Sequence, residues 1–303
     1  GDHQLIYLLH LLELVHEHEP ERLSKRLNAR LFTYANVPYR ICSYADLLAD
    51  PRDTISYDHD EHGRIEQRVA AVGADGKLLY TGDAIARATL AEKLLVPLLA
   101  KLSNFVAGGG IWMNTQRPEW NDANNALVGY GISMVTLHEL RRYLDLIQAI
   151  FADADGPVTL AEEDADFADA VAAAVAGFDA EAPLTDATRK DLLDALGQAG
   201  EAYRSRLYAD GLSGDTRTAE PAAVLAFFDD VRRAVDATLR DARREDDGLA
   251  NAYNLLVIPP EGIDADGVGV KTLYPMLEGQ VAALGAGVLD PEALLGVIEA
   301  MRT

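Results

Sequence analysis

The sequence predicts an all-α fold, a toroid of paired helices. Two observations carry this expectation: apolar residues recur at helical spacing along most of the chain, and the intervening segments alternate between short connections and long, polar, aromatic loops. Gathered at one end of such a ring, the long loops would make a ligand funnel. A plain helical bundle is the alternative. No repeat with a period of roughly 20 to 50 residues is present, which leaves a solenoid without support.

The elements follow in chain order. Gln4 to His18 reads as an amphipathic helix, continued after Pro20 by Glu21 to Leu31. From Phe32 to Tyr57 the period dissolves into an aromatic, turn-rich loop containing Tyr34, Tyr39 and Tyr44, and long ordered loops are where function concentrates. Glu61 to Tyr80 fits either a helix or a hairpin turning at Ala74-Asp75-Gly76. Ala84 to Phe105 reads as a helix that buries Leu94, Leu95, Leu98, Leu99 and Leu102, with Pro97 as a kink. After Gly108-Gly109-Gly110 and a polar segment, a helix is expected from about Ala123 to Phe151, its face marked by Met134, Leu137, Leu140 and Leu144. Three further stripes, starting at Phe167, Leu192 and Val224, mark helices in an Ala- and Asp-rich region; residues 152–250 read as a helical insertion in a single catalytic domain spanning 1–303. Asn251 to Ile258 is a short strand ended by Pro259-Pro260, and Leu273 to Leu284 opens the last helical region.

Composition narrows the function classes. A formal net charge of -22 repels phosphate backbones and anionic bilayers, so neither nucleic acid nor a membrane is an expected partner. Cys42 is the only cysteine, which rules out an internal disulfide and a thiolate metal cluster and points to the cytoplasm. No run approaches the ~20 apolar residues of a membrane span. The chain opens without Met and its last apolar stripe runs to Thr303 without a stop signal, so it reads as a piece of a longer protein.

The densest chemistry lies between Asn114 and Gly129. Four asparagines, Gln116, Arg117, Glu119, Trp120 and Asp122 share this short span. An indole face stacks on the apolar face of a pyranose, and amides and carboxylates take its hydroxyls, so the mixture suits a polyhydroxylated ligand. Capping of the helix that follows would by itself account for Asp122, but it does not account for Trp120, Asn121, Asn124 and Asn125 around it.

Glu119-Trp120-Asn121-Asp122, followed by amides, a glycine and a long helix, resembles the Asp-Trp-Asn-Asp motif of the cellobiose phosphorylase family and related (α/α)6-barrel glycoside hydrolases. The resemblance implies an (α/α)6 toroid, here incomplete, that cleaves a glycosidic bond with inversion. It makes Asp122 the general acid and sets Trp120 in a sugar subsite, with Glu119 standing where the family has its first Asp. It also likens Gly1-Asp2-His3-Gln4 to the end of a sugar-binding turn, which would bring Asp2 and Gln4 near the substrate. The family's His-Thr-Gly phosphate element is missing after Asp122, where His138 is the only histidine. The reaction is then hydrolysis, or phosphorolysis if inorganic phosphate binds outside this chain; a non-catalytic carbohydrate-binding or scaffold protein is the alternative.

Inversion needs a second carboxylate about 6.5–9.5 Å from the acid. Glu278, bracketed by Tyr274, Pro275 and Gly279, is the best candidate, against the plain role of a first-turn Glu complementing a helix dipole; Glu119 is an alternative, though a residue this close to Asp122 in sequence is poorly placed for the opposite face of one sugar. The substrate-binding set is thus Gln116, Arg117, Glu119, Trp120, Asn121, Asn124, Asn125, Asp2, Gln4 and Tyr39, for an oligosaccharide or glycoside, with no cofactor and no metal. His10, Glu13, His16, Glu17 and His18 lack the His-Glu-x-x-His spacing and read as a solvated helix face. The acidic stretch Asp53 to His62 lacks an EF-hand pattern. Gly108-Gly109-Gly110 is no phosphate loop; it lets the backbone bend or approach closely beside Trp112.

Overall fold

The computed structural model of the chain describes residues 2–114, 126–127 and 129–302, and these are not all helical. Helices take 56% and strands 15%, and the strands include a five-stranded antiparallel sheet, which overturns the expected all-α (α/α)6 toroid and the plain bundle with it. The reason lies in length. Strands β5 (Phe105–Val106), β6 (Gly110–Trp112) and β7 (Gly131–Ser133) are two or three residues long, and β6 and β7 each open on a glycine. A two-residue period cannot show in so few residues, and such strands persist only because their neighbours complete the ladder. With β10 (Tyr253–Val257) and β11 (Gly269–Thr272) they form a sheet of order β11-β10-β7-β6-β5. Of the five, only β10 was legible as a strand.

The helices fall closer to expectation. Asp2–His18, Leu90–Leu102, Met134–Ala152, Glu162–Ala176, Asp186–Asp210 and Pro221–Asp241 are all present, followed by Leu277–Gly285 and Pro291–Ala300. Thr89 and Glu92 close a capping box on the Leu90–Leu102 helix, and Thr185 with Thr188 does so for Asp186–Asp210. Leu94, Leu98 and Leu99 bury against Tyr143, Phe151 and Phe228 in the main core, and the Tyr143 hydroxyl donates to Leu94 O at 2.7 Å. A second cluster lies between the sheet and the Asp186–Asp210 helix. There Val106, Trp112, Ile132 and Leu256 meet Leu193, Tyr44 and Leu47.

Two loop expectations also change. The aromatic stretch is organised by β1 (Tyr39–Ile41) pairing with β2 (Ile55–Tyr57) around a short helix, Tyr44–Ala49, capped by Ser43. The ambiguous stretch is a helix over His59–Val72, then a short turn, then the hairpin of β3 (Tyr80–Thr81) and β4 (Ala84–Ile85), which turns at Gly82 rather than at Gly76. Strands β8 (Val158–Ala161) and β9 (Thr216–Ala219) pair separately from the large sheet.

The long helix starts at Met134, not near Ala123, because β7 intervenes. Its N-cap is Ser133, whose hydroxyl accepts from Thr136 N, so capping of this helix no longer competes as an explanation for Asp122. The polar segment instead lies in the connection of a hairpin: Ile111 and Trp112 pair with Ser133 and Ile132. Gly110 holds φ 123°, and a Cβ there would stand 2.7 Å from Ser133 O, so the close approach foreseen for the glycine run is real at this position.

Gly129 closes the same hairpin with φ 75°, and a Cβ would stand 1.9 Å from Pro51 O. Replacing Gly129 with Ala should destabilise the fold by at least about 1–3 kcal/mol, read as a lowered urea midpoint. Gly63, in the His59–Val72 helix with nothing within 4 Å of an added Cβ, is the control: its Ala variant should gain about 0.5–1 kcal/mol. Equal midpoints for the two variants would refute this account of the hairpin's closure.

Candidate functional site

The described residues on either side of the polar segment are tied together at a neck. The buried Trp112 indole donates its Nε1–H to Gly129 O at 2.7 Å, and Met113 N donates to Gly131 O at 2.9 Å. Asn114 Nδ2 donates to Asn104 Oδ1 at 2.6 Å, and the Arg52 guanidinium lies over the Tyr130 ring. Gln116, Arg117, Glu119, Trp120, Asn121, Asp122, Asn124 and Asn125 lie outside the described residues.

Beside this neck opens a cavity of about 900 Å³. Its wall includes Gln4 and Leu8 of the first helix, Leu90, Lys93, Leu94 and Lys101 of the Leu90–Leu102 helix, and Trp112 and Asn114 at the foot of the hairpin. Gln4 and the residue that leads into Glu119–Asp122 thus meet at one cavity, although they are 110 positions apart in sequence. The other described candidates are placed elsewhere. Tyr39 stands in β1, its ring edge-on to Tyr57, and is not part of the cavity wall. Glu278 is exposed in the first turn of Leu277–Gly285, also outside the wall, where a carboxylate complements the helix dipole. Asp2 is the first residue of the Asp2–His18 helix.

The cavity wall and the groups bonded behind it include residues that the sequence did not reveal: Lys93, Tyr34 and Tyr203 line the wall, and Asp164 stands behind Tyr203. Asp164 is buried, accepts the Tyr203 hydroxyl at 2.7 Å through Oδ1, and leaves Oδ2 without a hydrogen bond among the described residues. Burial is the main force pushing its carboxyl up to about 7; Glu92 and Glu163 add to the shift, while the Tyr203 bond and Lys93 oppose it. Lys93 Nζ lies 4.2 Å from the Tyr34 ring centroid and donates to Thr33 O at 3.3 Å. Burial lowers its pKa. Tyr203 stacks on Phe167 with centroids 4.5 Å apart. None of these was legible: Asp164 follows Glu162-Glu163 and reads as dipole-complementing charge at a helix start, and Tyr203 fell on a stripe that reads as core.

The remaining titratable candidates are structural. Glu13 is held by Arg142 through two bonds of 2.6 Å, and no group of three metal-ligating side chains occurs among the described residues. His138 is buried, with its Nδ1 2.8 Å from Met134 O, and burial pushes its pKa down to about 4. Burial also raises the Cys42 thiol, which disfavours the thiolate a nucleophile needs. No helix among the described residues is long and apolar enough to cross a membrane.

Asp164 and His138 make opposing demands on pH. Asp164 binds its proton more tightly folded than unfolded, so its contribution to stability, up to roughly 4 kcal/mol, is lost as pH rises from about 4 to about 7. His138 binds its proton less tightly folded, so its contribution, up to roughly 3 kcal/mol, is lost as pH falls from about 6.5 to about 4. Urea unfolding at stepped pH should show the wild-type advantage over Asp164→Asn shrinking as pH rises through the first window. The advantage over His138→Gln should grow with pH through the second, and a pH-independent difference in either case would refute the assignment. No family model matches the chain, and no curated protein compared with it does either.

Proposed function

We propose that the chain is a carbohydrate-active enzyme that cleaves a glycosidic bond with inversion, with Asp122 as general acid and Trp120 as the stacking surface for a sugar ring. The carrying observation is the convergence at the cavity: Asn114, from which the chain runs into Glu119-Trp120-Asn121-Asp122, lines the same wall as Gln4. The reading rests on the chemistry of that segment and on its likeness to the cellobiose phosphorylase motif, not on an α/α barrel, which the five-stranded sheet excludes. A cavity at Asn114 offers room for the aglycone, and the bond between Trp112 and Gly129 ties together the described residues that flank the segment. Glu278 remains the proposed base, and the lone cysteine is in keeping with action in the cytoplasm.

A second reading has its own support. Among the described residues the cavity wall contains no carboxylate, and this favours carbohydrate binding without turnover. The two separate on a panel of glycosides assayed with and without inorganic phosphate. Asp122→Asn should lower turnover about 10²–10⁴-fold with the melting temperature unchanged, and Glu278→Gln should lower hydrolysis while sparing substrate affinity. Saturable glycoside binding with no product from the wild type establishes the second reading, and full turnover by Asp122→Asn removes the acid role.

A further inference from the structure

The charge of the cavity wall is opposite to that of the chain. The sequence carries 49 acidic and 27 basic residues, yet among the described residues the wall includes Arg22, Arg26, Lys93, Lys101 and Arg204 and no Asp or Glu. Arg22 is paired with Glu19 at 2.6 Å, and Lys93 donates to Thr33 O with the Asp164 carboxyl acting on it. Arg204 differs. It stands on the Asp186–Asp210 helix, at the end of the cavity where the Leu90–Leu102 helix stops. Its Nη1 and Ser103 Oγ both lie 3.0 Å from the point that a Cβ on Gly200 would occupy, so the bare backbone of Gly200 is what admits the guanidinium beside the helix end.

This guanidinium lacks an acceptor. Arg204 Nε is buried without a hydrogen-bond partner among the described residues, and burial lowers the pKa of the group against the opposing influence of Tyr208 and Glu201. The acceptors of the neighbourhood are taken. Glu201 accepts from Tyr44 N at 2.9 Å; at the helix end Leu99 O accepts from Ser103 N, Ala100 O from Ser103 Oγ and Asn104 Nδ2, and Lys101 O from Asn104 N. A desolvated cation without an acceptor is costly, and a bound anion removes that cost. Asn104, next to Ser103, joins this end of the cavity to the neck: its Oδ1 accepts from Asn114 Nδ2 at 2.6 Å and its O from Trp112 N at 2.8 Å. One end of the wall therefore combines an unpaired cation, two amides and the apolar surface of Ile41 and Met113. Amides and apolar surface suit a sugar ring, and the guanidinium adds a receptor for an oxyanion on it. The end of the Leu90–Leu102 helix carries the negative end of its dipole. A single guanidinium beside that end balances one negative charge, that of a carboxylate, rather than the roughly −1.5 to −2 of a phosphate group at pH 7.

We propose that Arg204 receives a ring carboxylate, so that the glycoside taken at this cavity carries a uronic acid unit. The inference rests on the glycoside reading of the site and names its substrate class. The carboxylate accepts from the guanidinium, and the hydroxyls of the same ring fall to Asn104 and Asn114. Arg204 is thereby a specificity residue and takes no part in bond cleavage.

The test is calorimetric titration of the whole chain with glucuronate and galacturonate, each against its neutral amide, and with inorganic phosphate. At least one of the two acids should bind saturably and about tenfold or more tightly than its amide, with phosphate a weak competitor. Arg204→Met should abolish the preference for the acid while leaving the amide's affinity unchanged, and Arg204→Lys should keep part of it, with the far-ultraviolet spectrum confirming the fold. The ligand series on the wild type needs no variant, so a misfolded variant leaves the proposal falsifiable. Equal affinity for acid and amide, no saturable binding of either acid, or a preference that survives Arg204→Met overturns the carboxylate site, and so does phosphate binding as tightly as the acids. Turnover of neutral glycosides alongside any of these results leaves the glycoside reading standing without the uronate. Selective binding of an acid by a chain that cleaves and binds no glycoside removes that reading and keeps the carboxylate site.

Discussion

Burial of the Trp112 indole beneath the sheet, with its one polar atom bonded to Gly129 O, is the constraint on which the site depends. An indole this deeply buried needs its N–H satisfied, and the acceptor here is a backbone carbonyl at the far end of the connection between β6 and β7. One hydrogen bond thereby closes the hairpin that carries the polar segment. Gly129 makes this possible, because its positive φ and missing side chain let the chain pass against Pro51. The indole also forms part of the cavity wall and part of the second core cluster, so the packing that steadies the sheet steadies the mouth of the site.

Around that constraint the molecule separates its charges. Acidic residues dominate the sequence, and Arg141, Arg142, Arg206 and Arg217 are each tied to carboxylates of neighbouring elements. The exposed pairs of Arg206 and Arg217 add little stability each, whereas Arg141 is buried where it meets Asp236. Along the cavity the pattern reverses: the described wall carries cations and no carboxylate, and behind it burial raises the pKa of Asp164 to about 7. Such a carboxyl gives up part of the folded state's stability in exchange for a titratable group beside two tyrosines and a lysine. Strained or desolvated polar groups of this sort concentrate where ligands bind.

Much of the helical framework was legible because it depends on local signals. The stripes starting at Leu94, Phe167, Leu192 and Val224 lie on buried helix faces, and Thr185 caps the Asp186–Asp210 helix through a local capping box. The sheet was mostly illegible. Phe105–Val106 and Gly131–Ser133 look like helix ends or loop in isolation, since what makes them strands is the hydrogen bonding of partners distant in sequence, as when Tyr253 pairs with Ser133. The same non-locality hid the cavity wall: Lys93 sits on an otherwise Leu-rich helix, and nothing in the sequence brings it to Tyr34 or near Asp164.

The sequence by itself determined the composition of the polar segment, the acidic balance and the periodic helices, because each is a property of residues close together in the chain. It also marked Gly108 to Gly110 as a place of close backbone approach, which Gly110 fulfils against Ser133. Only the tertiary structure decided that the chain flanking the polar segment pairs as a β-hairpin, that Ser133 and not Asp122 caps the helix beginning at Met134, and that Glu278 stands apart from the cavity wall. The physical reason is that ladder pairing, burial and cavity walls are made by residues far apart in sequence, and these set the environment that gives a side chain its chemistry.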